Sequence, residues 1–166
     1  MFRILIKTKI SNTMKHFAEV LRYLSSIEYI NRGGCGVAAL AIYRWLKKHD
    51  KLKDTKIVFL YDYTARQLYD VNYQILNNNS NGTPEGAPHI ILERLNKYFD
   101  SDGYLKKRYV NFQYSSKLNV DADFLLKALN SNAGLGSWNK AFDRKNEIPK
   151  IAKKLKIDLS DVAIFN

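Results

Sequence analysis

Apolar positions recur at three- and four-residue steps early in the chain. Phe17, Val20, Leu21, Leu24 and Ile27 form one stripe, which predicts an amphipathic helix over about 13–27. A glycine-bearing break follows at 31–34. Ala38, Ala39, Ile42, Trp45 and Leu46 then mark a second helical face, closed by Lys47, Lys48 and His49, whose charge suits a helix C-terminus. Residues 2–6 and 57–61 are short apolar runs and predict strands. The stretch 64–76 is ambiguous, with a weak helical pattern in Ala65, Leu68, Tyr69 and Asn72. Residues 77–88, rich in asparagine, glycine and proline, give the clearest loop signal. Residues 89–94 leave that loop as a strand, Leu95-Asn96 suits a hairpin turn, 97–100 return, and Ser101-Asp102-Gly103 ends the pair. Residues 109–114 predict another strand. Asp121 reads as the N-cap of a helix containing Phe124, Leu125, Ala128 and Leu129, and 149–156 as a last short helix. No internal repeat or linker divides the chain, so a single domain over 1–166 that mixes helices and strands is expected.

Composition narrows the class. At 166 residues the chain is long enough for a sizeable core. No apolar run approaches the roughly 20 residues that cross a bilayer, and 1–7 is too short and too soon charged for a signal peptide. The single cysteine excludes an internal disulfide and a cysteine-cluster zinc site, and it suggests a reducing setting. An intracellular location is therefore expected. No His/Asp/Glu group has metal-ligand spacing, and no cofactor is expected. The net charge of +11 suggests an acidic partner such as nucleic acid, an anionic surface or an acidic protein. The basic residues are scattered, however, which favours AT-rich coding bias as the main cause.

Two places carry candidate chemistry. Cys35 lies in Asn31-Arg32-Gly33-Gly34-Cys35-Gly36, where the second helix begins. Free amides and the positive end of a helix dipole favour a thiolate at such a position, and the thiolate is the nucleophile. The flanking glycines are read as letting a substrate approach closely, and the Cys35 amide as facing a developing oxyanion. The competing reading is a small buried residue at a tight helix start. His89 opens a strand straight after the long loop. With the turn at Leu95-Asn96, Arg94 faces Lys97, Ile91 faces Asp100 and His89 faces Asp102. His89, Ile91, Asp100 and Asp102 then share one sheet face. Either aspartate would orient the imidazole; the competing reading is a solvated hairpin with ordinary charges.

Gly33-Gly34-Cys35-Gly36-Val37-Ala38-Ala39-Leu40-Ala41 resembles the cysteine-bearing helix start of papain-like (NlpC/transglutaminase-type) proteins. Residues 89–103 resemble their histidine–aspartate hairpin, most of all the short bacterial and phage version with a Tyr-Tyr-Asp-x-x-Gly strand. The resemblance covers about 35–103. It implies an α+β, papain-like fold, with the nucleophile-bearing helix packed on a small antiparallel sheet, and a thiol hydrolase or acyl-transferase, most readily a cysteine peptidase or amidase of phage or bacterial origin acting on a peptide or protein carbonyl through an acyl-enzyme. It assigns Cys35 as nucleophile, His89 as general base and acid, and Asp100 as the orienting carboxylate, with Asp102 in reserve. No glutamine precedes Cys35 where papain places its oxyanion side chain, and Asn31 is the nearest candidate for that role. The alternative is a non-catalytic, basic binding protein on the same scaffold, engaging nucleic acid or an acidic protein as part of a phage virion or as an infection factor; the bacterial and phage resemblance implies the cytoplasm of a bacterium or phage-infected cell, or a virion, as the setting. Two further patterns are weaker. Residues 148–162 superficially resemble the opening of a helix-turn-helix, but a basic helix packing Ile151, Leu155 and Ile157 on the core is the expected reading. Residues 132–138 form a glycine-rich loop without the lysine of a phosphate-binding loop, and its Trp138 reads as a buried anchor or a cleft wall.

Overall fold

The computed structural model describes residues 16–61, 89–130 and 142–164. The expectations for 2–6, 64–76, the loop 77–88 and the glycine-rich loop with Trp138 fall outside them. Helix α1 occupies 16–25 of the described chain and α2 is Cys35–Lys48. Strand β1 (Thr55–Tyr61) follows, then β2 (His89–Arg94), β3 (Lys97–Asp100) and β4 (Gly103–Leu105). Helix α3 (Lys107–Gln113), strand β5 (Ser116–Val120), helix α4 (Ala122–Asn130) and helix α5 (Arg144–Leu155) complete the order. The strands make one open sheet in the order β4-β3-β2-β1-β5, with every neighbouring pair antiparallel. The fold class is α+β in one small domain, as expected.

The apolar run at 57–61 lies in the sheet interior and is buried on both faces, which is why it does not alternate with polar residues. Ile57, Phe59 and Tyr61 join Ile90 and Leu92 in the main core with α2. Val58 and Leu60 face the other way and pack with Ile91, Tyr98 and Val110 in a second cluster. Helix α2 is the centre of the main core. Leu40 and Ile42 are fully buried, and each such side chain contributes about 1.5–3 kcal/mol relative to exposure. That burial anchors the helix on which Cys35 sits.

The hairpin forms in the expected register. Arg94 pairs with Lys97 and Leu92 with Phe99. Leu95 and Asn96 both have positive φ, 52° and 59°, the signature of a type I′ turn whose twist matches the strands. Asp121 caps α4 as expected, its Oδ1 accepting from the Phe124 N–H at 2.7 Å.

Three expectations need correction. Residues 109–114 are not a strand: 107–113 form α3, and Val110 covers the second face of the sheet. The local β-propensity of tyrosine, valine and phenylalanine yields there to the need to bury Val58, Leu60 and Ile91. The chain also does not leave the sheet at Gly103, because β4 adds a short edge strand. The last helix starts before Pro149, at Arg144. Asp143 supplies the cap through the Asn146 N–H at 3.1 Å, and buried Arg144 and Ile148 hold the first turns despite the proline inside. Beyond it, Leu159 and Val162 are buried in the main core, so 148–162 packs on the domain.

Candidate active site

Cys35 is the first residue of α2, and it is buried. Among the described residues no side chain caps this helix and no acid lies in its first turn, so its positive end is not neutralised locally. The glycines around it have packing reasons that sequence alone did not suggest. A Cβ on Gly34 would lie 2.8 Å from Ile30 O and 2.8 Å from the Phe142 ring. A Cβ on Gly36 would lie 2.8 Å from a Leu129 methyl and 3.1 Å from Ile90 Cδ1. Gly34 and Gly36 therefore let the helix start press against its neighbours, which corrects their reading as room for substrate. Gly33, at φ 116°, takes the left-handed turn into the helix. Ile90 lies beside Gly36, so the start of α2 is seated against the start of β2.

His89 is the first residue of β2. Its Nε2 lies 3.0 Å from Asp100 Oδ2, and Asp100 is itself buried at the end of β3. The other carboxylate oxygen, Oδ1, accepts from the Asp102 backbone N–H at 2.9 Å. Both oxygens of Asp100 are thus held. The Asp102 side chain is exposed, and its link to the pair is that backbone donor. Cys35 is near enough to His89 to act on the ring's pKa. With Nε2 given to Asp100, Nδ1 is the ring nitrogen that remains. Burial works against a charge on His89, but the hydrogen bond to Asp100 and the nearness of Cys35, with their charges, outweigh it. Together they push the ring's pKa up to about 10.

The structure adds two residues that the sequence did not single out. Ser101, almost fully buried, donates its hydroxyl to Asn31 Oδ1 at 2.7 Å. Asn31 is thereby tied to the residue next to Asp100. The ring of Tyr114 lies nearly parallel to His89, with centroids 6.3 Å apart and planes inclined by 16°. A serine between two aspartates reads only as a turn former, and nothing in the local sequence joins Tyr114 to a strand 25 positions earlier. Asn31, Cys35, His89, Asp100 and Ser101 thus form one connected set, drawn from the turn before α2, the helix start, and the ends of β2 and β3.

Among the described residues no group of three His, Cys, Asp or Glu side chains is placed to hold a metal ion. No helix among them is long and apolar enough to cross a membrane. Comparison with known proteins found no matching family model, no matching curated protein and no matching solved structure.

Proposed function

We propose that the protein is a papain-like thiol hydrolase or acyl-transferase, acting on an amide or ester carbonyl of a peptide or protein. The observation that carries this reading is the buried His89–Asp100 pair, Nε2 to Oδ2 at 3.0 Å, with Cys35 at the start of α2 near enough to act on the ring's pKa. A cysteine at an uncapped helix start, beside an imidazole that is held by a carboxylate, is the arrangement that nucleophilic catalysis by a thiol uses. In the proposed reaction Cys35 Sγ attacks the carbonyl carbon and a C–S bond forms. His89 gives its proton to the leaving amine or alcohol as the scissile bond breaks. The neutral ring then takes a proton from water, or from an acceptor amine, as that nucleophile displaces the sulfur and restores the thiol site. Asp100 keeps the ring oriented through both steps.

The direct test is labelling by iodoacetamide. Wild-type Cys35 is expected to react faster at neutral pH than an unactivated thiol, and His89→Ala to return it to the ordinary rate. Cys35→Ala is expected to keep the far-ultraviolet circular dichroism of the wild type and lose hydrolysis of peptide and ester substrates. Labelling of the native protein at the pace of free cysteine would defeat the reading.

A second reading has its own observation. Exposed Lys47, Lys48, Lys154 and Lys156 come together where α2 and α5 end, at the far end of α2 from Cys35. A non-catalytic basic binding protein would use that face for nucleic acid or an acidic protein. A salt-dependent gel shift retained by Cys35→Ala would support it, and negligible binding at low salt would remove its nucleic-acid form.

A further inference from the structure

A pocket of about 260 Å³ opens between α1, α2 and α5, at the end of α2 remote from Cys35. Its floor is apolar and consists of Val20, Trp45 and Leu155, all buried. His16, Tyr23 and His49 join Trp45 there, so four ring side chains line the pocket. The His49 ring lies 4.5 Å from the Trp45 ring, and Lys154 Nζ stands 5.9 Å over the centre of the Tyr23 ring. Lys48, Lys154 and Lys156 are exposed around it, opposed by one acid, Glu19.

A second hollow of about 460 Å³ shares Lys48 and Lys156 with the first and adds Lys47 and Arg44. The acids that line it are already engaged. Asp161 holds Arg44 through both carboxylate oxygens, at 2.6 Å each. Asp158 Oδ1 accepts from the Ser160 N–H and hydroxyl at 2.9 and 2.7 Å. Lys48 Nζ donates to the Lys156 carbonyl at 2.6 Å, a bond that leaves its charge uncancelled. Among the described residues, Lys47, Lys48, Lys154 and Lys156 take part in no ion pair. A basic strip thus leads from the ring-lined pocket past Lys48 and Lys156 into the second hollow.

The lining selects among acidic partners. Rings beside cations suit a planar base joined to a phosphate, because any base can stack on a ring while its phosphate meets the ammonium. Carboxylates of an acidic protein are matched best by arginine forks. Arg44 is occupied by Asp161, which leaves lysines, and these bind phosphate as point charges. The bases of a duplex are stacked inside it and cannot enter a pocket without being flipped out, whereas an unpaired base can.

We propose that this pocket holds one unpaired base of a single-stranded nucleic acid, with phosphates on Lys48, Lys154 and Lys156 and the strand continuing past Lys47. The inference rests on the basic-binding reading above and deepens it by naming the partner; it needs no chemistry at Cys35.

The test is a fluorescence titration of the full-length Trp138→Phe variant, in which Trp45 is the sole tryptophan. The ligand is an oligothymidylate of about 12 nucleotides at low salt. Trp45 emission is expected to be quenched as the strand binds. The logarithm of the affinity is expected to fall with that of the salt concentration at a slope of roughly −2, from three phosphate contacts on a single strand. Lys154→Ala is expected to make that slope shallower by about 0.7. His49→Ala is expected to weaken binding about tenfold and leave the slope unchanged, because stacking releases no counterions. A duplex of the same length is expected to bind about tenfold more weakly, the worth of the base contact. Oligouridylate beside oligothymidylate tells RNA from DNA as the source, and binding of either supports the site. If Trp138→Phe does not fold, anisotropy of a fluorescein-labelled strand with the wild-type protein carries the same comparisons. Equal affinity for the duplex or for polyglutamate, with Trp45 emission unmoved, overturns the inference, and so does an unchanged affinity in His49→Ala. Failure of the underlying reading looks different: no polyanion would bind even at low salt.

Discussion

His89 is where the electrostatics of the site are concentrated. Burial alone would lower its pKa below the ordinary 6.5, yet its two partners lift it to about 10. Each partner therefore has a testable sign. Asp100→Asn removes a bond and a charge that raise the pKa while leaving the burial that lowers it. The ring's titration midpoint, read from imidazole nitrogen chemical shifts, is expected to fall by roughly one to three pH units. A midpoint unmoved by Asp100→Asn would mean that the carboxylate does not hold the proton in place. The glycines beside Cys35 make a second prediction. Gly36→Ala meets the far end of a leucine side chain, which can rotate, and gains some helix propensity. It is expected to destabilise by about 1–3 kcal/mol at most. Gly34→Ala meets the backbone of Ile30 at 2.8 and 2.9 Å, which cannot turn aside, and is expected to be the worse of the two in urea denaturation.

At the scale of elements, the β2–β3 hairpin delivers His89 and Asp100 to each other, so its register decides the site. That register was legible in the sequence because Leu95-Asn96 leaves few ways to turn, and a slip by one residue would move Asp100 to the opposite face. Leu95 is nonetheless a poor residue for its place: it has positive φ and is exposed. Leu95→Asn is expected to stabilise the protein by a few tenths to about 1 kcal/mol, visible as a raised midpoint in thermal unfolding, with His89 chemistry unaltered. Helix α3 shows the opposite case. Its residues favour a strand by local preference, and only the uncovered face formed by Val58, Leu60 and Ile91 makes a helix the better solution.

At the scale of the whole molecule, the segment after α5 is fastened back onto the body by two arginines of unequal weight. Arg144 is 3 % exposed, and its Nη1 donates to Leu129 O at 2.8 Å and to Ala163 O at 3.0 Å. It joins the start of α5 to the end of α4 and to the C-terminal segment. Arg144→Met leaves two carbonyls short of a charged donor and is expected to cost about 2–3 kcal/mol. Arg44 makes a bidentate pair with Asp161 at 2.6 Å, but Asp161's side chain is 45 % exposed and solvent screens the pair. Arg44→Ala is expected to cost under about 1 kcal/mol. Chemical denaturation of the two variants side by side checks the order, and equal losses would contradict it.

Local pattern in the chain is enough for the mixture of helices and strands, the helix that starts at Cys35, the hairpin from His89 to Asp100 and the Asp121 cap. Each of these follows from contacts a few residues apart: hydrophobic period, turn chemistry and caps act locally, so a local reading finds them. Tertiary structure decided what the period could not. It turned 107–113 into a helix, gave Gly34 and Gly36 a packing reason, brought Tyr114 beside His89, and chose Asp100 over Asp102 as the residue that bonds the ring. It also joined Ser101 to Asn31, a contact between residues 70 positions apart that no local pattern announces. Those outcomes depend on which faces remain uncovered and which polar groups remain unpaired once the core has formed, and that is known only when the whole chain is in place.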